Sequence, residues 1–264
     1  MLVSVITVNK NDAAGLERTI KSVITQTYSN IEYIVIDGDS SDTSIEIIKK
    51  HQNSITKWIS ESDTGIYNAM NKGITLSTGE YALFLNSGDH FFSIDSLQKL
   101  ISKVCNQDLI CGDLLYVEDN NLKTLKTLPN SLRLSYFIEN SLPHPSTLIK
   151  TKILQKYSGY DERYKIVSDF DFFLKVLLDP RTTYLHVQET VSVFYLDGIS
   201  SKPEYNFLMQ NERDDSLKRA MPIIYEDYHD LCDLYRDNLL WYLFQKRTVG
   251  FIRFFAKLVR KLFG

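Results

Sequence analysis

The sequence lacks the features that define several protein classes. It contains three cysteines, Cys105, Cys111 and Cys232, with no CxxC spacing, which argues against a disulfide framework and favours a reducing compartment. No apolar run approaches the roughly 20 residues that a membrane-spanning helix needs. The first residues read as a strand, without the basic and apolar segments of a signal peptide. We therefore expect a soluble, cytoplasmic protein body.

The sequence also lacks a strong net charge. The formal value of −3 argues against bulk binding to nucleic acid. No GxGxxG motif follows an early strand, which disfavours a NAD-binding oxidoreductase. The charge is nevertheless uneven, because six basic and no acidic residues lie within 246–264, and subtracting these six charges leaves −9 on residues 1–245.

What the sequence does contain is a regular alternation of strands and helices. Apolar, β-branched segments at residues 2–8, 31–36, 55–60 and 81–85 are separated by segments with helical spacing. This alternation predicts an α/β fold with a doubly wound, mostly parallel sheet. After residue 90 the pattern predicts a small antiparallel extension, with a hairpin over 108–128 and two strands at 182–187 and 190–196. We predict a catalytic domain over 1–202, divided into halves 1–90 and 91–202, and a helical region over 203–264.

Polar residues follow three successive strands of the predicted sheet. In a parallel sheet, ligands bind where the carboxyl ends of the strands open into loops. Residues 81–85 read as a central strand that is apolar on both faces, and the segment Asn-Ser-Gly-Asp at 86–89 follows it. Thr7, Asn9, Asp37 and Asp39 follow the first two strands and are candidates to bind a base and a ribose. The alternative for these carboxylates is turn formation and helix capping, which we favour for Asp42.

Five segments occur in an order and at a spacing that resemble family 2 glycosyltransferases, which are inverting enzymes of the GT-A fold that use nucleotide-sugar donors. The resemblance covers roughly residues 2–200 and is closest to members that make the outer sugars of bacterial surface polysaccharides, such as O-antigen or capsule. It implies the same fold and a hexosyltransferase activity, with UDP-sugars favoured. The five segments are residues 4–9 (SVITVN), 36–43 (IDGDSSDT), 69–74 (AMNKGI), 79–89 (GEYALFLNSGD) and 168–171 (SDFD).

The resemblance assigns a metal-binding role to Asp89. A Mg²⁺ or Mn²⁺ ion bound there would neutralise the leaving diphosphate. The family usually has a second carboxylate three residues earlier, where this chain has Asn86, so Asp89 would be nearly alone among protein ligands. Capping of the following segment is the alternative role for Asp89. By the same resemblance, four further side chains border the donor: Asp63, Asn71, Asn86 and Ser87.

The resemblance makes Asp169 the general base that accepts the proton of the acceptor hydroxyl. Asp169 stands at the start of a strongly apolar helix, where the helix dipole favours a carboxylate, and Ser168 replaces the glutamate that precedes the base in the family. The alternatives are an N-cap role for Ser168 or Asp169, and Asp171 as the base. His144, which is flanked by two prolines, is a candidate to contact the acceptor or a phosphate, and a packing or hydrogen-bonding role is the alternative. Ser200 is a further predicted acceptor contact.

The basic segment 246–264 has apolar residues on one helical face and basic residues on the other. This pattern predicts binding to the anionic inner face of the cell membrane, and docking on the protein itself or on a second copy is the alternative. A membrane location suits a lipid-linked glycan acceptor, as the resemblance implies. Two other functions stay open: a sugar-nucleotide nucleotidyltransferase, and a catalytically degenerate binder of nucleotide-sugars that is tethered to the membrane.

Overall fold

A computed structural model of the chain describes residues 1–230 except residues 104, 105, 119–121, 139, 197, 224, 228 and 229. The predicted amphipathic segment 246–264 lies outside the described residues, as do Cys105 and Cys232. The chain divides into one unit over Met1–Ser216 and a second over Leu217–Gly264. The predicted domain boundary at residue 202 stays a prediction.

The described strands are β1 (Val3–Asn9), β2 (Ile31–Asp37), β3 (Lys57–Ser60), β4 (Tyr81–Phe84), β5 (His90–Phe91), β6 (Leu109–Val117), β7 (Lys123–Lys126), β8 (Thr147–Lys150) and β9 (Tyr184–Tyr195). The described helices are α1 (Ala13–Ile24), α2 (Ser44–Lys50), α3 (Ile66–Leu76), α4 (Ser96–Ile101), α5 (Thr151–Lys156), α6 (Ser168–Leu178) and α7 (Asn206–Ala220). Short 3₁₀ turns join several of them, including one over His144–Ser146.

All nine described strands belong to one sheet, in the order β3-β2-β1-β4-β8-β6-β9-β5, with β7 paired to β6. Strands β1 to β4 run parallel to one another, β6 is parallel to β9, and β8, β5 and β7 run the opposite way. The predicted α/β fold with a mostly parallel sheet and a small antiparallel extension is therefore confirmed. The chain first adds β2 and β3 on one side of β1 and then crosses over to form β4 on the other side. The switch point, where the strand order reverses, therefore lies between β1 and β4.

The sheet is buried on both faces in its first half. Strand β1 is buried at every residue and β4 likewise, which explains why neither sequence alternates between apolar residues and charged ones. Helix α3 packs so closely on β1 that a Cβ atom on Gly73 would lie 2.4 Å from Ile6 Cγ2. The parallel pairing of β1 with β4 places their carboxyl ends side by side.

A buried carboxylate fixes the start of β4. Glu32 accepts hydrogen bonds from Ser4 Oγ at 2.6 Å, from Lys57 Nζ at 2.8 Å and from the Thr78 backbone N–H at 2.7 Å. Burial acts to raise the pKa of Glu32, but these hydrogen bonds outweigh it and lower the pKa to about 2. Ser4 Oγ in turn accepts the Gly79 N–H at 2.9 Å, so the ionised Glu32 secures the residues that lead into β4.

The second half of the sheet differs from the prediction in one respect. Tyr184–Tyr195 form the single strand β9 instead of two strands, with a shift in register against β6 where Gly112 pairs with Val187 and Asp113 pairs with Thr190. The polar residues at 188 and 189 lie in this bulge rather than in a turn. The backbone of residue 189 approaches so closely that a Cβ atom on Gly112 would lie 2.8 Å from the Glu189 carbonyl oxygen.

Candidate active site

Asp37 organises the loops at the carboxyl end of the sheet. Its fully buried carboxylate accepts hydrogen bonds from Asn9 Nδ2 at 2.8 Å, from Ser60 Oγ at 2.8 Å, and from the hydroxyl and backbone N–H of Ser40 at 2.6 and 3.0 Å. Burial acts to raise the pKa of Asp37, but the hydrogen bonds lower it overall. The ionised carboxylate therefore joins the ends of β1, β2 and β3, and all four of its bonds are to protein groups.

Two of the predicted nucleotide contacts, one fully buried and one half-buried, are bonded to other parts of the protein. Thr7 is fully buried, and its hydroxyl donates to the Leu85 carbonyl at 2.7 Å and lies 3.1 Å from Tyr33 Oη. Asn71 is bonded to the loop that precedes α6, since its amide donates to the Tyr160 carbonyl and accepts the Tyr160 N–H, both at 2.8 Å. Both side chains hold elements of the site in place, and a direct contact of either with a nucleotide stays a prediction.

The two other carboxylates of the loop after β2 have different surroundings. Asp39 is exposed and has a φ of 60°, in the left-handed region. Asp42 accepts the N–H of Ala13 at 2.9 Å and that of Ser44 at 3.0 Å, the first residues of α1 and α2. The predicted capping role of Asp42 is confirmed, and Asp39 is the acidic side chain of this loop that faces solvent.

A cavity of about 640 Å³ opens between the ends of β1 and β4, and we call it the β1–β4 cavity. Asp63 lines it with a side chain that is only 7% exposed and lies 3.8 Å from Lys10 Nζ. Its carboxylate rests against Gly38, where a Cβ atom would come within 2.1 Å of Asp63 Oδ2. The cavity is lined by Val8, Asn9, Lys10, Asp63, Thr64, Gly65, Ile66, Ala69, Asn86 and Ser87, so four of the predicted donor contacts share one wall.

The segment 86–89 after β4 is held by helix α1. The Thr19 hydroxyl accepts the Gly88 N–H at 3.1 Å and donates to the Asp89 carbonyl at 2.6 Å, while the Ser87 N–H donates to the Val8 carbonyl at 3.0 Å. Gly88 has a φ of 97°, which a residue with a side chain rarely adopts. Asp89 is 6% exposed and directly precedes β5. The loop is therefore rigid before any ligand binds.

Oxygen atoms suited to a divalent cation occur in this loop. The Asn86 Oδ1 atom is buried and has no hydrogen-bond partner among the described residues, and Asp89 supplies a carboxylate. The described part of the chain contains no group of three or more His, Cys, Asp or Glu side chains placed to share a metal ion. This donor set fits Mg²⁺ or Mn²⁺ only if a ligand such as a diphosphate supplies most of the coordination.

Asp169 lies in the first turn of α6, at the wall of a second cavity. One of its oxygens accepts a hydrogen bond from the Phe170 N–H at 2.8 Å and lies 3.2 Å from Tyr67 Oη, whose single proton is shared with the Ile166 carbonyl at 2.6 Å. The Asp169 side chain is 21% exposed. Burial, and then the nearby Asp169 carboxylate, raise the pKa of Tyr67 well above its ordinary value, so the phenol stays a hydrogen-bond donor. Asp169 thus has one oxygen fixed by the protein, and the other, Oδ2, faces His144.

His144 lies between the 86–89 loop and Asp169. Its Nε2 atom is 3.2 Å from Asn86 Nδ2, and its Nδ1 atom is 3.7 Å from Asp169 Oδ2. Because the Asn86 amide donates to Nε2, a neutral ring carries its proton on Nδ1, which faces Asp169. Pro143 and Pro145 restrict the backbone on either side of His144. His144 thus lies between Asn86 and Asp169, and its predicted contact with the acceptor or a phosphate stays a prediction.

The second cavity has a volume of about 320 Å³, and we call it the α6 cavity. His144, Asp169 and Ser200 all line it, so both predicted acceptor contacts share it with the predicted base. Its wall also includes Tyr116, Lys126, Asn140 and Arg213. The contact between Asn86 and His144 is where the β1–β4 cavity and the α6 cavity adjoin.

The sequence analysis did not identify several residues that shape the site. Glu212 of α7 is buried and accepts three backbone N–H groups, those of residues 165, 166 and 167, at 2.8 to 3.2 Å. It therefore fixes the segment from which Asp169 emerges. Asp171, the alternative base, pairs with Lys175 at 2.6 Å and accepts the Ser216 hydroxyl at 2.8 Å. Asp171 does not line the α6 cavity.

The comparisons with known proteins agree with the fold and with the sequence motifs. The model of the family described as Glycosyl transferase family 2 matches residues 4–167. An uncharacterised glycosyltransferase of Mycobacterium tuberculosis is 33% identical over 180 residues, covering 67% of this chain and 69% of that protein. A PGL/p-HBAD biosynthesis glycosyltransferase of Mycobacterium bovis is 26% identical over 192 residues, covering 70% of this chain and 73% of that protein.

Solved structures share the fold at low sequence identity. Residues 1–349 of S. aureus TarS in complex with UDP-GlcNAc superpose with a TM-score of 0.64 at 17% identity, covering 84% of this chain and 68% of that one. The match spans 40% of a longer TarS chain. The mannosyltransferase PcManGT of Pyrobaculum calidifontis, solved with GDP-Man and Mn²⁺, gives a TM-score of 0.60 at 14% identity, covering 89% of this chain and 70% of that one. The predicted GT-A fold is thereby confirmed.

Proposed function

Because the chain belongs to glycosyl transferase family 2 and is a glycosyltransferase, we propose that it transfers a sugar from a UDP-sugar to a hydroxyl group of a glycan, with inversion at the anomeric carbon. The β1–β4 cavity is the donor site in this proposal. Its position at the switch point of the sheet supports that assignment. TarS, which has the same fold, was solved with UDP-GlcNAc, and this supports the choice of a UDP-sugar as the donor.

One observation carries the proposal: a predicted donor loop and a predicted base, 83 positions apart in sequence, lie on either side of the His144 ring, 3.2 and 3.7 Å from its two nitrogen atoms. An inverting transferase needs the acceptor hydroxyl and its base on the opposite side of the anomeric carbon from the leaving diphosphate. Two adjoining cavities, one lined by Asn86 and the other by Asp169, supply the two sides. The acceptor therefore occupies the α6 cavity.

The proposed reaction is a single displacement. Asp169 accepts the proton of the acceptor hydroxyl through Oδ2, while that oxygen forms a bond to the anomeric carbon. The bond between the anomeric carbon and the diphosphate oxygen breaks, and UDP leaves with the electron pair. His144 orients the carboxylate, and Tyr67 holds its other oxygen. Lys10 lies in the β1–β4 cavity, where its positive charge favours the anionic donor.

A divalent cation is part of the proposal. Asp89 and the unpartnered Asn86 Oδ1 atom are the residues that would hold it, together with oxygens of the diphosphate. When bound, Mg²⁺ or Mn²⁺ would neutralise charge that develops on the leaving diphosphate. PcManGT, a protein of the same fold, was solved with Mn²⁺, which supports the choice of ion.

The acceptor and the location remain proposals that rest mainly on the resemblance. We place the enzyme at the inner face of the cell membrane, acting on a lipid-linked glycan of a surface polysaccharide. Among the described helices, none has both the length and the apolar character that crossing a membrane requires. The proposed surface contact is the basic segment 246–264, and binding of the full chain to anionic vesicles compared with neutral ones would test it.

The donor proposal is tested by nucleotide release. The full chain is incubated with a panel of UDP-, GDP- and dTDP-sugars, with Mn²⁺, with Mg²⁺ or with a chelator, and the nucleoside diphosphate is quantified. We expect slow release of UDP, since water substitutes for the acceptor, and loss of release with the chelator. Binding of UDP without any turnover would favour the degenerate binder. Pyrophosphate release from a nucleoside triphosphate would favour a nucleotidyltransferase, which family membership disfavours.

A further inference from the structure

The α6 cavity contains two basic side chains that the proposed chemistry does not use. Lys126, at the end of β7, and Arg213, on α7, both line it. Both are held by Asn140: Lys126 Nζ donates to Asn140 Oδ1 at 3.0 Å, and Arg213 Nη2 donates to the Asn140 carbonyl at 3.3 Å. The Arg213 guanidinium also stacks on Phe170, 4.2 Å from the ring centre. The two cations are therefore close together and fixed before an acceptor binds.

The contacts of Lys126 are to neutral groups. Its side chain is half-buried, and its Nζ atom lies 5.7 Å from the centre of the Tyr116 ring and donates to Asn140. Within the part of the chain that the structure describes, it forms no ion pair with a carboxylate. Burial, and then the proximity of Arg213, lower the pKa of Lys126. Asp169 is the only carboxylate among the described residues lining the cavity, and it is oriented by Tyr67 and His144. An anion that binds between this half-buried lysine and the neighbouring arginine would be stabilised by both positive charges.

We propose that Lys126 and Arg213 bind an oxyanion of the acceptor, a phosphate ester or a carboxylate, while the hydroxyl that reacts lies at Asp169. This inference rests on the proposed function, because it assigns the α6 cavity to the acceptor. Proteins bind phosphate esters and carboxylates most strongly through charge-assisted hydrogen bonds, which lysine and arginine side chains donate. The acceptor is thus an acidic glycan or a glycan linked through phosphate, rather than a neutral sugar.

The test measures binding of small anionic probes to the full chain. The protein is first saturated with UDP and Mn²⁺ so that the β1–β4 cavity is filled, and glucose 1-phosphate, glucuronate and glucose are then titrated by calorimetry. The variants are Lys126→Gln, Lys126→Arg and, as a matched control, Lys123→Gln, which alters an exposed lysine of the same strand that lies outside the cavity. The phosphate and carboxylate probes distinguish the two sources of the oxyanion.

We expect at least one anionic probe to bind more tightly than glucose, with an affinity that falls as salt is added. Lys126→Gln should weaken that binding about tenfold, Lys126→Arg should restore most of it, and Lys123→Gln should leave it unchanged. Equal binding of glucose, no binding of either anion at millimolar concentration, or insensitivity to Lys126→Gln would each overturn the inference. Failure of UDP to bind in the first step would instead count against the proposed function.

Discussion

Replacing Asp169 by Asn removes the proposed base while keeping the shape of the site. The Asn side chain can still accept the hydrogen bonds of Tyr67 and of the Phe170 N–H through its Oδ1 atom, so the start of α6 should keep its structure. The change replaces the other oxygen, Oδ2, by an amide nitrogen that does not accept a proton. A positioned base contributes about 10²- to 10⁴-fold to a rate, so turnover should fall by that factor. This fall corresponds to a rise of about 3 to 5 kcal/mol in the activation free energy.

The matched control for this change is Asp171→Asn, two residues further along α6. Asp171 is 2% exposed and bonded to Lys175 and Ser216, outside the α6 cavity. Its replacement should lower the free energy of unfolding by about 1–3 kcal/mol and leave turnover of the folded enzyme nearly unchanged. The assays are release of UDP from the donor, UDP affinity by calorimetry, and thermal unfolding of both variants.

The result that would refute the reasoning is specific. If Asp169→Asn keeps near-normal UDP release, Asp169 is not the base. If Asp171→Asn loses more turnover than Asp169→Asn at equal folded fraction, the two carboxylates have been assigned in the wrong order. A loss of UDP affinity in Asp169→Asn, without a loss of turnover at saturating donor, would show that the carboxylate acts on the donor rather than on the acceptor.

Three further predictions follow from contacts in the site. Gly38→Ala should weaken UDP binding at least tenfold, because the new Cβ atom would collide with the Asp63 carboxylate. The control is Gly198→Ala, which should bind UDP normally in the same titration because no atom of the described residues lies within 4 Å of its Cβ position. His144→Phe should reduce UDP release about 10- to 100-fold with unchanged UDP affinity, and a loss of affinity instead would place His144 in the donor site. Glu32 has its pKa lowered to about 2, so it stabilises the fold above its ordinary pKa of 4.5, and this contribution, up to about 3 kcal/mol, is lost as the pH falls from 4.5 towards 2. Urea unfolding across this pH range should show a flatter acid limb for Glu32→Gln, and an unchanged limb would contradict that assignment.

The first half of the fold could be predicted from the sequence because its signals are local. The strands β1, β2 and β4 are rich in apolar residues, and each is followed within a few residues by turn-forming polar residues. Such patterns depend only on neighbours in the chain, and so does the capping role of Asp42. The placement of polar residues at one edge then follows from the parallel arrangement of the strands.

The interactions that build the rest of the site are between distant segments and leave no local signal. Glu212 holds the segment before α6 from 45 to 47 positions away, and nothing in the sequence around it distinguishes it from an exposed helical glutamate. The same is true of Tyr67, which contacts Asp169 across 102 positions. Strand β9 was predicted as two strands because its polar residues at 188 and 189 resemble a turn, and only the pairing with β6 accommodates them as a bulge.

The structure gives Asn86 a physical role where related enzymes usually have a carboxylate. Its amide donates to His144 Nε2, which a carboxylate is unable to do, and this leaves the proton of a neutral ring on Nδ1 towards Asp169. A carboxylate at residue 86 would instead accept a hydrogen bond from Nε2–H, which in a neutral ring would leave Nδ1 without a proton towards Asp169. Asn86 therefore sets which tautomer of the neutral ring fits this position, so that an N–H rather than a lone pair faces Asp169, the residue proposed as the base.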